Sequence, residues 1–171
     1  MTARGLQVKL EDIPESLRDK RRLEADDKIR FACHPGLSCF NSCCRDVNIL
    51  LTAVDVLRLS RRLGMSTTDF LERHTLKPIT KELRLPVIML RMSDTEDKRC
   101  TFLGDEGCTV YSDRPWSCRM YPVAMAIPPA RAGVEPEPVY FLIEDEFCLG
   151  HEERKEWTVD SWRGDQGVRG H

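Results

Sequence analysis

Cysteine is the residue type in this chain best suited to chemistry, and seven of its eight copies lie in two groups. The first group falls within residues 33–44, the second falls within residues 100–118, and one more follows. The eight are Cys33, Cys39, Cys43, Cys44, Cys100, Cys108, Cys118 and Cys148. Cysteines that act only as small core hydrophobes need not bunch, whereas soft metal ions require several thiolates at one point. The grouping therefore predicts that all eight ligate a metal ion or an iron–sulfur cluster.

Disulfide bonds are the competing use for an even number of cysteines. A chain of 171 residues can bury a sizeable core as one domain, so it needs no covalent staples. Residues 1–10 contain Arg4 and Lys9 but no apolar run and no small-residue cleavage site, so we expect no signal peptide. We therefore expect a cytoplasmic protein, whose reducing surroundings keep thiols free for metal.

Charge and hydropathy limit the classes of partner. The chain has 26 basic and 28 acidic residues and a net charge of -2, with no block of one sign. Such a balance gives no basic field for nucleic acid, and the apolar segments are far shorter than the roughly 20 residues that span a bilayer. We expect the partners to be a metal ion or cluster and a protein, with neither nucleic acid nor membrane involved.

The spacing of the cysteines leaves the kind of metal open. Zinc ribbons have paired Cys-x-x-Cys motifs and ferredoxins have short regular runs, and this chain has neither. A tetrahedral zinc ion and a 4Fe-4S cluster each take four thiolates, but the cluster spreads them over a larger cube. The neighbours Cys43 and Cys44 tend to point apart, which favours an iron–sulfur cluster, with zinc as the alternative.

Charged and imidazole groups lie next to several cysteines. Arg45, Arg99 and Arg119 each adjoin a cysteine in sequence, and nearby cations lower the pKa of a thiol and stabilise an anionic site. Coincidence among common surface arginines explains the same pattern equally well. His34 and His151 also lie near cysteines, and Cys148-x-x-His151 is a spacing at which both side chains could reach one zinc ion. We expect both histidines to be solvated, with zinc ligation as the alternative.

The elements that must position the cysteines are short. We expect a surface helix with an extended lead-in over residues 11–30, a loop over 31–48, and a helix from the N-cap Thr52 to Leu63 with Gly64 as its stop. Its apolar face is expected to hold Val54, Leu57 and Leu63. A second helix is expected after Ser66, where Asp69 completes the capping-box spacing.

Further elements are expected around the second cysteine group. Residues 83–92 predict an edge strand, and residues 100–111 predict a hairpin around Gly104–Gly107, with Cys100 and Cys108 at its ends. A helical turn opened by Asp113 and closed before Pro122 carries Cys118. Residues 139–143 predict another strand and residues 151–167 a final helix.

Together these elements predict one small α+β domain, loop-rich around a cysteine-ligated metal centre, with few short strands and several short helices. We divide it into an N-terminal extension with a helix (1–30), a cysteine-cluster metal-binding domain (31–150), and a C-terminal helix or tail (151–171) that packs on the same domain.

The three cysteine-bearing segments resemble the YkgJ-type cysteine-cluster family over residues 31–150. They read Phe31-Ala-Cys-His-Pro-Gly-Leu-Ser-Cys-Phe-Asn-Ser-Cys-Cys44, Cys100-Thr-Phe-Leu-Gly-Asp-Glu-Gly-Cys-Thr-Val-Tyr111 and Arg114-Pro-Trp-Ser-Cys-Arg-Met-Tyr-Pro122. The family is described as zinc- or iron-chelating and often labelled iron–sulfur-cluster-containing. In its compact form two residues separate successive cysteines of the first group, where this chain has five and then three. The resemblance implies metal binding and assigns no reaction.

Three functions follow from the residues and the resemblance together. The first is an iron–sulfur protein with a redox, sensing or accessory role, and the second is a zinc-binding structural or interaction module. The third is a protein-modifying enzyme like the flagellin lysine-N-methylases, which resemble this chain through a similar cysteine cluster. The chain has no Gly-rich nucleotide loop of the kind that cradles S-adenosylmethionine, which counts against the third.

Overall fold

The structure is a computed structural model that describes residues 10–79, 86–130 and 136–169. Within these ranges, four α-helices and nine short strands are connected by loops and 3-10 turns. The helices are α1 (Ala53–Leu63), α2 (Thr67–His74), α3 (Trp116–Met120) and α4 (Val159–Asp165). The strands are β1 (Arg21–Leu23), β2 (Lys28–Arg30), β3 (Thr75–Leu76), β4 (Met89–Leu90), β5 (Leu103–Gly104), β6 (Gly107–Cys108), β7 (Val123–Ala126), β8 (Val139–Leu142) and β9 (Glu156–Thr158). The predicted small, loop-rich α+β fold is confirmed.

The largest sheet has three antiparallel strands in the order β1–β8–β7, and the other strands form two-stranded ladders. Strand β8 lies at its centre, where all four of its residues are buried. Leu142 of β8 pairs with Arg21 on one side and with Val123 on the other. The strand predicted over residues 139–143 is therefore confirmed. Its alternate residues pack in two different groups of buried side chains, so both faces of the strand are covered, which explains why it is continuously apolar.

The surface helix predicted over residues 11–30 was wrong. The segment forms two 3-10 turns, Leu10–Asp12 and Glu15–Leu17, followed by β1 and β2. Leu17, Leu23 and Ile29 lie six positions apart, a spacing that does not keep them on one helix face. Leu23 and Ile29 are instead buried where β1 pairs with β8 and β2 pairs with β9.

Helix α1 begins and ends where its capping residues predict. The Thr52 side chain accepts a hydrogen bond from the Asp55 backbone N–H at 3.1 Å, and Gly64 ends the helix in the left-handed conformation with φ 64°. Ser66 caps α2 by accepting from the Asp69 N–H at 3.1 Å. These caps satisfy backbone donors that no helical partner can reach.

The apolar face predicted for α1 was right at Leu63, which packs on the buried side chains beneath the helix, and wrong at the other two positions. Val54 and Leu57 are exposed, whereas Val56 and Leu59 are buried. The buried positions at this three-residue spacing contact the core through one stripe of the helix. The stripe faces Phe70 of α2, which is fully buried.

Two main groups of buried side chains lie beneath these elements. The first core lies under the large sheet and α4 and contains Leu23, Ile29, Phe31, Met120, Val123, Tyr140, Leu142, Val159, Trp162 and Val168. The second core lies between α1, α2 and the β5–β6 hairpin and contains Leu51, Val56, Leu59, Phe70, Leu90, Phe102 and Val110. Cys148 packs on the first core, and Cys100 and Cys108 pack on the second.

Three further predictions met the structure in part. Of the edge strand predicted over residues 83–92, residues 89–90 form β4, and residues 83–85 lie outside the described ranges. Residues 1–9, where we expected no signal peptide, also lie outside those ranges. The final helix begins only at Val159, after a 3-10 turn and β9. Within the described ranges, none of the helices has the length and apolar character needed to cross a bilayer.

Candidate metal centre

The first cysteine loop is irregular, as its Pro35 and Gly36 predict, and ends in a 3-10 turn over Ser42–Cys44. Asn41 precedes this turn with φ 68°, and its carbonyl accepts from the Cys44 N–H at 3.0 Å. The Cys44 carbonyl in turn accepts from the Cys100 N–H at 2.8 Å. This bond joins the first cysteine group directly to the second.

The second cysteine group is organised by the β5–β6 hairpin, which is confirmed. Leu103 pairs with Cys108 across the ladder. Cys100 was expected at the other end of the hairpin, but it lies three residues before β5, where it bridges to Met92. Its carbonyl accepts from the Leu103 N–H at 3.0 Å, which folds it back towards the hairpin.

Cys118 lies in α3, whose start is fixed by a residue from another helix. The Trp116 N–H donates to Asp55 Oδ1 at 2.8 Å, and the Ser117 hydroxyl donates to the Leu50 carbonyl at 3.1 Å. The prediction that Asp113 opens this helix was wrong, because Asp113 ends a separate 3-10 turn. The buried Asp55 takes that role from the N-terminus of α1.

Cys148 is brought to the first cysteine loop by backbone hydrogen bonds. The Leu149 N–H donates to Cys39 Sγ at 3.3 Å. The Ala32 N–H donates to the Gly150 carbonyl at 3.1 Å, so the chain before Cys33 runs beside the chain after Cys148.

The thiols are close enough to influence one another electrostatically. All eight are free; Cys33 and Cys43 are exposed as whole residues, and the other six are half-buried. Partial burial of its sulfur, with smaller contributions from the thiols of Cys43, Cys148 and Cys39, raises the pKa of Cys33 to about 11. Burial raises the pKa of Cys118 to about 12, with additional contributions from Cys100 and Cys108.

Cys43 and Cys44 form an asymmetric pair. A hydrogen bond from the Cys44 thiol lowers the pKa of Cys43 to about 7. The same bond, together with burial, raises the pKa of Cys44, whose other thiol neighbours are Cys100 and Cys118. The adjacent thiols thus contact each other and both lie near Cys118. They differ in that Cys33 lies near Cys43, whereas Cys100 lies near Cys44.

The guanidinium that influences the thiols is not one of the three expected from sequence. Arg45 pairs with Asp97, Arg99 lies 3.8 Å from Asp105, and Arg119 donates to the backbone carbonyls of residues 166 and 167. Arg114 instead lowers the pKa of three cysteines, namely Cys33, Cys43 and Cys118. Its position in the Arg-Pro-x-x-Cys-Arg segment was the sequence signal that could have identified it.

His34 and His151, the two histidines near cysteines, differ in how their rings are buried. His34 is half-exposed and lies 3.6 Å from Glu153, in line with the expected solvated side chain. His151 is not solvated in that sense, because its ring packs 5.4 Å from Phe31 and its Nε2 is buried without a hydrogen-bond partner in the described chain. Tyr121 Oη is likewise buried, and burial together with a hydrogen bond to Cys148 raises its pKa.

The donor set fits a soft metal centre. Reduced thiols are the ligands that zinc and iron–sulfur clusters take, and the backbone N–H directed at Cys39 is a typical hydrogen bond to a ligand sulfur. Across residues 10–79, 86–130 and 136–169, no three His, Cys, Asp or Glu side chains are arranged so that they could hold a metal ion as they stand. The structure therefore brings cysteine segments together, and ligation by the eight residues stays a prediction.

A comparison with protein families agrees with this chemistry. The CxxCxxCC family model, described as a "putative zinc- or iron-chelating domain", matches residues 32–157. No curated protein and no solved structure matches the chain significantly. Because the family model covers most of its length, the chain belongs to this family, and the resemblance noted from its sequence motifs is confirmed.

Proposed function

We propose that this member of the CxxCxxCC family holds a 4Fe-4S iron–sulfur cluster through its clustered cysteines and serves a redox, sensing or accessory role in the cytoplasm. The observation that carries the proposal is the joining of cysteine segments that are far apart in sequence. The Cys100 N–H donates to the Cys44 carbonyl, and the Leu149 N–H donates to Cys39 Sγ. Loops joined in this way can present thiolates to one inorganic centre.

The surroundings of the thiols suit a cluster. Cys148 packs with Trp116 and Tyr121 against the first core, and Cys100 and Cys108 pack against the second. Apolar packing excludes water, and hydrogen bonds to the sulfurs tune the reduction potential of a cluster. A bound cluster would supply one-electron chemistry, while the protein contributes the thiolates, the apolar packing and the positive charge of Arg114.

The preference for a cluster over zinc comes from Cys43 and Cys44. These residues contribute two thiols from a single 3-10 turn, and the two thiols are hydrogen-bonded to each other. A single zinc ion needs its four sulfurs at about 2.3 Å from one point, whereas the thiols near this pair are spread out, with Cys33 near Cys43 and Cys100 near Cys44. The larger cube, or two centres, accommodates them.

Metal and sulfide analysis of protein produced without oxygen tests this function. The proposal predicts a brown protein with iron and acid-labile sulfide in equal amounts and little zinc. A colourless protein with neither iron nor sulfide would refute it.

Zinc binding is the second candidate, because the family description names zinc beside iron. In that case the same analysis finds zinc without sulfide, and the protein is a structural or interaction module. The lysine-methylation hypothesis stays a prediction, which binding of S-adenosylmethionine measured by calorimetry would test.

A further inference from the structure

The eight cysteines separate into two sets of four when their positions in the fold are compared. The separation runs between Cys43 and Cys44. On one side lie Cys33, Cys39, Cys43 and Cys148, and on the other lie Cys44, Cys100, Cys108 and Cys118. We name these the outer quartet and the inner quartet, respectively.

Backbone contacts join three members of the outer quartet, Cys33, Cys39 and Cys148. The Leu149 N–H donates to Cys39 Sγ, which places Cys39 against the residue that follows Cys148. The Ala32 N–H donates to the Gly150 carbonyl, which aligns the segments that carry Cys33 and Cys148. Cys148 itself packs on the first core.

A different set of contacts holds the inner quartet. The Cys100 N–H donates to the Cys44 carbonyl at 2.8 Å, and the Cys100 carbonyl accepts from Leu103, the cross-strand partner of Cys108. Cys100 and Cys108 pack on the second core, not the first. Cys118 belongs to α3, whose first residue, Trp116, donates its N–H to Asp55 of α1.

The thiols that lie close enough to interact electrostatically follow the same division, apart from Cys43. Cys33 has Cys43, Cys148 and Cys39 as its thiol neighbours. Cys44 has Cys100 and Cys118 besides its sequence neighbour, and Cys118 has Cys100 and Cys108. Cys43 lies at the boundary between the two quartets, because its thiol also interacts electrostatically with the Cys118 thiol.

We propose that the chain holds two neighbouring four-thiolate centres, one bound by the outer quartet and one by the inner quartet. This inference rests on the proposed function only in requiring that the cysteines bind metal. Cys43 and Cys44 belong to one 3-10 turn, and their thiols contact each other. The Cys44 carbonyl accepts from the Cys100 N–H, whereas Cys33 lies near Cys43, so one turn supplies a ligand to each centre. Four thiolates are the full complement of either a 4Fe-4S cluster or a structural zinc ion, so eight thiols complete two shells.

Adjacent ligands also fix the distance between the centres. The Cα atoms of successive residues are about 3.8 Å apart, so two clusters ligated by Cys43 and Cys44 would lie side by side. We expect the unpaired electrons of two reduced clusters at this distance to interact.

The test compares two matched double variants of the full chain, produced and reconstituted without oxygen with ferrous iron and sulfide, and separately with zinc. Cys39→Ser with Cys148→Ser removes half of the outer quartet, and Cys100→Ser with Cys108→Ser removes half of the inner quartet. The wild type should bind about eight iron and eight sulfide per chain, and each variant about four of each. The reduced wild type should give a broadened, spin-coupled electron paramagnetic resonance spectrum, and each variant an uncoupled one.

The outcomes separate this inference from the proposed function. About four iron in the wild type, lost completely in one variant and retained in the other, would overturn the two-centre arrangement while keeping the iron–sulfur function. About two zinc in the wild type and one in each variant, with neither iron nor sulfide retained after the iron reconstitution, would support two centres and overturn the iron–sulfur function. Should a variant fail to fold, the wild-type count still decides, because eight iron or two zinc supports two centres and four iron or one zinc refutes them.

Discussion

Asp55 is predicted to be the residue that holds the Cys118 helix in place. Its carboxylate is buried, with 1 % of the residue exposed. It accepts hydrogen bonds from the Thr52 N–H at 2.9 Å, from the Thr52 hydroxyl at 2.8 Å and from the Trp116 N–H at 2.8 Å. The first two belong to the capping box of α1, and the third crosses to the first residue of α3.

The substitution Asp55→Ala removes all three acceptor contacts. Loss of a cap costs about 1 kcal/mol, and loss of a hydrogen bond to a charged group costs about 1.5 to 3 kcal/mol. We therefore expect the free energy of unfolding to fall by about 3 kcal/mol, with Asp55→Asn intermediate because it keeps the shape and loses the charge. Urea unfolding followed by tryptophan fluorescence measures this change.

Asp69→Ala is the matched control. Asp69 occupies the same position in α2 that Asp55 occupies in α1, and it accepts from the Ser66 hydroxyl at 2.6 Å. Its side chain is half-exposed and makes no bond to α3, so its removal should cost only about 0.5 to 1 kcal/mol. Equal losses for the two alanine variants would refute the claim that Asp55 couples the helices.

Three further perturbations test other parts of the account. Gly150→Ala would place a Cβ 2.7 Å from the Phe31 ring, so we expect thermal denaturation to show a free energy of unfolding lower by about 1 to 3 kcal/mol. Gly164→Ala is the control, because its Cβ would meet only the flexible end of Arg169. An equal loss of stability in the control would contradict the steric reason. Burial lowers the pKa of His74, and Arg73 adds to the effect, so stability should increase as the pH rises towards about 6.5 and be lost as the pH falls below it. His74→Phe should flatten this dependence in urea titrations from pH 5 to 7, whereas an unchanged slope would contradict it. Because metal binding is coupled to folding, a chelator applied without oxygen should lower the unfolding midpoint, and iron with sulfide should restore it; a midpoint indifferent to both would count against a structural role for the metal.

Local rules were sufficient for the elements that depend on neighbouring residues. Thr52 and Gly64 bound α1 because a cap and a left-handed stop act within one turn. The β5–β6 hairpin followed in the same way from its two glycines and the short β-prone segments beside them. In both cases the interactions that form the element are encoded within a few residues.

Interactions between distant segments were beyond these rules. Strands β1 and β2 exist because they pair with strands more than a hundred residues later, and no local pattern marks them. Asp55 and Trp116 are 61 residues apart, so the role of Asp55 looked like that of an ordinary helix cap. The grouping of the cysteines predicted a metal site, but the division into quartets depends on which loops the tertiary fold joins.

X-ray absorption at the iron and zinc edges of protein produced without oxygen tests the central claim that the cysteines hold an inorganic centre. The account predicts an iron edge whose first shell is sulfur at about 2.3 Å, similar to a metal–thiolate distance, with a second shell of iron. A first shell of oxygen and nitrogen at either edge, or no metal bound to the folded chain, would contradict it.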